Sequence, residues 1–102
     1  MELKRSNIVV SLAGRDQGRL FFVMEIEPNF VYLADGRMRK VEEPKKKKCK
    51  HVAFISEGSS ALSQKIRAGE KVSNSEIRRA LSQFIIERDT APLQAEGGNL
   101  LV

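Results

Sequence analysis

Two hydrophobic periods succeed one another along this chain. Up to residue 56 the apolar residues come in short runs rich in Val, Ile and Phe, separated by turn formers. Asn7–Leu12 reads as a strand and stops at Ala13–Gly18, where two glycines bracket a polar loop. Arg19–Ile26 is a second strand, and Glu27-Pro28-Asn29 a turn with its φ angle pre-set by proline. Phe30–Ala34 is a third strand, followed by Asp35-Gly36, a hairpin signal. That signal predicts a fourth strand over Arg37–Val41, with Met38 and Val41 turned inward. His51–Ile55 is the fifth. Short strands at this spacing predict a small antiparallel β-barrel, and the lack of alternating strand–helix units argues against a parallel α/β sheet.

Beyond residue 56 the period becomes helical. Ser60 is placed to cap a helix over Ala61–Ala68, with Gly69 just past its end and Leu62 and Ile66 on one face. Ser73-Asn74-Ser75-Glu76 fits a capping box. The helix it opens carries Ile77, Leu81, Phe84 and Ile85 at i, i+4, i+7 and i+8, an apolar stripe that should end near Arg88–Asp89, before Pro92. The domain plan is thus a barrel over 1–56, a helical extension over 57–89 packing on it, and a flexible tail over 90–102. At 102 residues this is one mainly-β domain.

Charge sharpens the picture. The formal net charge is +5, and residues 1–50 hold 12 basic against 7 acidic residues, while 51–102 hold 6 of each. All the excess lies in the β half, which points to an anionic partner, nucleic acid first and an acidic membrane surface second. The helical half is neutral and is expected to pack on the barrel rather than to form the RNA surface. No apolar run approaches the roughly 18 residues of a membrane span, and Met1–Arg5 lacks the apolar core of a secretory signal. These features lead us to expect a cytoplasmic protein without a membrane partner.

The order Ile8–Ile26, with Gly14, three polar residues, Gly18, a basic residue and a second apolar strand, is similar to a KOW motif. The likeness extends through Tyr32–Lys40, then Pro44–Lys48 and Lys50-His51. Together these segments, about residues 5–52, resemble bacterial single-KOW RNA-binding proteins. Those are similar in turn to archaeal and eukaryotic large-subunit ribosomal proteins with one KOW domain. Glu76–Leu81 is similar to the C-terminal helix of the bacterial group. The resemblance implies an SH3-like barrel that binds structured, ribosomal RNA through the Gly14–Arg19 loop, in translation or ribosome assembly, with ribosomal proteins as further partners. The family often has a basic residue where this chain has Gln17, which leaves Arg15 and Arg19 as the phosphate contacts.

The residues themselves support an RNA surface. Gly14 and Gly18 suit positive φ or close backbone approach to a phosphate. Lys45, Lys46, Lys47, Lys48 and Lys50 surround Cys49, and such a run needs solvent or an anion. Arg37, Arg39 and Lys40 precede it, and His51 closes the candidate set. Neutralising Lys45–Lys48 is expected to remove charge without touching the core. Phe22 and Tyr32 are read as core, with base stacking as the alternative. Cys49 is either an ordinary side chain or a thiol made reactive by its lysines. A single histidine forms no metal site, and no acid–base pair or nucleophile set stands out. The chain is therefore expected to have no catalytic site, no cofactor and no small-molecule substrate. The competing function is a protein-interaction module of the transcription or translation machinery, since small barrels serve both roles.

Overall fold

A computed structural model describes residues 2–58 and 60–97, with the backbone alone over 89–97. Strands β1 (Ile8–Ser11), β2 (Leu20–Glu27), β3 (Phe30–Ala34), β4 (Lys45–Lys48) and β5 (Val52–Ser56) precede helices α1 (Ala61–Arg67) and α2 (Asn74–Gly97). A 3-10 turn, Cys49–His51, joins β4 to β5. The strands form one antiparallel sheet in the order β4-β3-β2-β1-β5. No ladder joins β4 to β5 among the described residues, so the sheet is not closed.

The sheet is nonetheless strongly curled. Lys48 and Val52 end and begin the two edge strands, and four Cα steps span at most about 14 Å. In a flat sheet of this order the two edges would stand about 19 Å apart. Only curvature lets so short a turn connect them.

Both sides of the central strands are buried. Val9, Phe21, Val23, Val31, Leu33 and Val52 gather on the concave side, with Cys49 packed against them. Ile8 and Phe22 face the other way, onto Leu62, Ile66, Val72, Ile77 and Leu81 of the helical layer. Helix α1, Val72 and the first turns of α2 thus form the second wall of the core, as their apolar residues predict. Phe22 is core, 1 % exposed.

The helix signals act as their chemistry dictates. Ser60 accepts from the N–H of Ser63, and Gly69 closes α1 at positive φ. Ser73 and Glu76 exchange side-chain-to-backbone hydrogen bonds of 3.1 and 2.8 Å, a complete capping box. Lys65 then ties α1 to α2 through Glu76 at 2.8 Å.

Three expectations are corrected. The fourth strand is Lys45–Lys48, not Arg37–Val41. Asp35 Oδ1 accepts from the N–H groups of Arg37 and Arg39, which winds 35–39 into a turn and leaves Met38 68 % exposed. Lysines are poor strand formers, but an edge strand tolerates and even favours them. Second, α2 passes Arg88 and Pro92 to Gly97, carried by helix-forming Ala91, Leu93, Gln94 and Ala95. The helix thus runs into the segment 90–102 expected to be a tail, and 98–102 lie outside the described residues. Third, the stripe leaves the core after Phe84, which is half-buried against it, and Ile85 is 44 % exposed.

The 35–44 loop is fastened to the start of α2. Asn74 accepts from the N–H of Val41 and donates to Glu42, and Arg78 donates to the Gly36 carbonyl at 2.7 Å. Gly36 permits this seat. Its φ is +78°, and a Cβ there would stand 2.5 Å from the Asn74 carbonyl oxygen and 2.9 Å from Arg78 Cγ. Gly36→Ala is expected to cost about 2 kcal/mol, lowering Tm by on the order of 10 °C. Gly18→Ala is the control, with a similar φ of +87° but open space around the added carbon. It should lose clearly less in thermal unfolding. Equal losses would assign the whole effect to backbone strain.

Candidate nucleic-acid interface

The loop between β1 and β2 is a closed unit. Gly18 N–H donates to Ser11 O at 2.8 Å and Ser11 N–H to Arg19 O at 3.0 Å, with Gln17 bonded back to Gly14 inside. Gly14 and Gly18 both sit at positive φ, the geometry read from the sequence. Asp16 turns inward and Arg15 outward.

Lys47 holds this loop in place. It lies opposite Val31 in the β3–β4 ladder and so points to the concave side. Its Nζ donates to Ala13 O and to Asp16 Oδ1, both at 2.8 Å, crossing the mouth of the curled sheet. Lys47 is 8 % exposed and Asp16 13 %. Ser11 Oγ lies 2.7 Å from the same carboxylate oxygen. Burial pushes the Asp16 carboxyl up, but the hydrogen bonds from Lys47 and Ser11 and the charges of Lys47 and Lys45 outweigh it, and the net direction is down. The stabilisation from this carboxyl is therefore complete above its ordinary value of 3.8 and is lost as pH falls through the lower native value. The stability advantage of the wild type over Asp16→Asn should hold from neutral pH to about 4 and shrink below it. Chemical denaturation across that range checks it. A constant difference down to pH 2 would contradict it.

Lys47 is thus withdrawn from the candidate phosphate contacts, and the expectation that Lys45–Lys48 can be neutralised without touching the core is corrected. The strand period of two splits the tract. Lys45 is half-buried on the inner side, and Lys46 and Lys48 are exposed on the outer one. Lys46 lies over the Phe30 ring at 4.5 Å and the Tyr32 ring at 5.9 Å, and pairs with Glu27 at 3.5 Å. Tyr32 is half-buried on that outer face rather than in the core, and Phe30, not singled out in the sequence, lies beside it.

The loops at one end of the sheet collect the remaining cations. Arg19 Nη1 stands 3.9 Å from Asp35 Oδ2, joining the glycine loop to the 35–40 turn. Arg15, Arg19, Arg37, Arg39 and Lys40 are all exposed there. Asp16 and Asp35 are turned in and occupied by Lys47 and by backbone N–H groups, while Glu42 and Glu43, further along the second loop, are exposed. On the other flank Leu12 N–H donates to His51 O at 2.8 Å, which sets Lys50 and His51 beside the glycine loop. His51 is half-buried and Lys50 exposed. Arg78, missed in the sequence, reaches the same end from α2. Nothing in its helical position signalled this, because the seat of α2 on Gly36 is a tertiary contact.

No protein-family model matches the chain, and no curated protein matches it. Among the described residues no helix is long and apolar enough to cross a membrane.

Proposed function

We propose that this chain is an RNA-binding protein of the KOW type, gripping the phosphate backbone of structured RNA with the loops at one end of its sheet. One observation carries the reading: five exposed cations, Arg15, Arg19, Arg37, Arg39 and Lys40, stand on two adjoining loops where Asp16 and Asp35 face inward and, among the described residues, Glu42 and Glu43 are the outward carboxylates. Such a surface carries more outward positive than negative charge and suits a polyanion. The curled sheet order, a four-strand meander with the fifth strand returning beside the first, fits the SH3-like barrel that the sequence resemblance implies. The glycine loop then presents Arg15 and Arg19, the 35–40 turn Arg37, Arg39 and Lys40, and the flank Lys50 and His51. Lys48 and Lys46 extend the positive surface along the outer face of the edge strand, with Lys45 half-buried on its inner side. Ribosomal RNA in the cytoplasm is the proposed target, and no catalytic step is assigned.

The test is binding to a structured ribosomal RNA fragment across a salt series. Affinity should fall steeply and linearly on a log–log plot as counterion release requires. Absence of binding at low salt would overturn the reading in favour of a protein-interaction module.

A further inference from the structure

Beside the cationic loops lies a cleft of about 340 Å³, at the small end of ligand-binding pockets and suited to one nucleotide rather than to a helix. The loops supply one wall and α2 the other. Arg19, Arg37 and Arg78 stand around it, and Leu20, Leu81 and Ile85 form an apolar side. Asp35 lies among them, its side chain 7 % exposed. Its Oδ1 accepts two backbone N–H groups, whereas Oδ2 has only Arg19 at 3.9 Å, beyond hydrogen-bond length. A nearly buried carboxylate oxygen thus keeps acceptor capacity beside guanidinium forks and an apolar wall.

We propose that this cleft reads one unpaired guanosine of the bound RNA, an inference that rests on the RNA-binding reading above. RNA is read in sequence where bases are splayed out of the helix, stacked on side chains and bonded at their edges. Guanine joins two acceptors, O6 and N7, to two adjacent donors, N1–H and the 2-amino group. An arginine fork matches the first pair, and a single carboxylate oxygen such as Asp35 Oδ2, with two lone pairs, accepts from the second. Arg37, exposed and without an ion pair among the described residues, supplies the fork. Arg78 is held by Gly36 O and Ser75 Oγ and lends charge at a fixed position. Leu81 and Ile85 meet the face of the base. Helix α2 thereby gains a role in specificity that the zero net charge of residues 51–102 conceals.

Short RNA hairpins with a single bulged G, A, C or U, and a fully paired control, test this by fluorescence anisotropy on the full chain. The bulged-G hairpin should bind about tenfold more tightly than the paired control and than the other bulges. Asp35→Asn keeps an oxygen for the two backbone N–H groups but presents an amide in place of Oδ2, and should remove the preference for G. Ser82→Glu places a negative charge at an exposed helix position lining the cleft. It should abolish the advantage of the bulge while changing the paired control far less. Equal affinity of the wild type for all the hairpins overturns the cleft and leaves the RNA surface standing. Bulge preference that survives both substitutions also overturns it. Failure to bind any of the RNAs overturns both readings together.

Discussion

Replacing Lys47 by methionine is expected to destabilise the protein by about 3 kcal/mol, enough to lower Tm by more than about 10 °C. Methionine nearly matches the length of the lysine but leaves Asp16 charged and enclosed. One of its oxygens would retain only Ser11, and the other is buried with no partner even in the wild type. Breaking one side of a buried pair costs more than removing both, because the uncompensated charge remains. The double variant Lys47→Met, Asp16→Asn should therefore recover most of the loss. Lys46→Met is the neighbouring control. It gives up an exposed ion pair and a ring contact, each worth no more than about 1 kcal/mol. Urea unfolding of the three variants decides the matter. Equal losses for Lys46→Met and Lys47→Met would refute the tether. The same pair makes Lys47 unavailable to phosphate, so two adjacent lysines of one tract have opposite tasks.

The second large effect concerns affinity. Changing Arg15, Arg37, Arg39 and Lys40 together to glutamine removes four exposed cations from the end loops without breaking an ion pair among the described residues. Each phosphate contact contributes about 0.7–0.9 to the slope of log affinity against log salt, so the slope should fall by roughly 3. At 0.1 M salt the loss should be on the order of a hundredfold. Losing Arg15, Arg39 and Lys40 should weaken structured and random-sequence RNA alike, because phosphate contacts position rather than specify, whereas losing Arg37 should add a cost confined to RNA that offers the unpaired guanosine. Thermal stability should hold. Lys46→Gln with Lys48→Gln lies on the outer face of the edge strand, where Glu27 already offsets one charge. That pair should reduce the slope by less than about 1.5. A larger effect from the β4 pair than from the end loops would move the RNA surface to the edge strand.

Local chemistry explains what could be read directly from the chain. The capping box at Ser73–Glu76, the cap at Ser60, the glycine beyond α1 and the positive φ of Gly14 and Gly18 all depend on neighbours within a few residues. So do β1, β2, β3 and β5, where β-branched and aromatic residues leave little choice of backbone. The inward turn of Phe22 and Ile77 follows from the same periodicity.

Non-local contacts decided the rest. Lys45–Lys48 has no strand propensity, and it becomes a strand because β3 offers an unpaired edge and Lys47 finds Asp16 across the curled sheet. Arg37–Val41 carries the expected alternation but is wound into a turn by Asp35 and seated on α2 through Gly36. The spread of positive charge over residues 1–50 could be counted from the chain. Its sorting into exposed guanidiniums, an outward lysine pair and one buried tether could not. That sorting rests on which carboxylates fold inward to meet them, and burial of a charge is settled only when its partner, 31 residues away in sequence, is brought within a hydrogen bond.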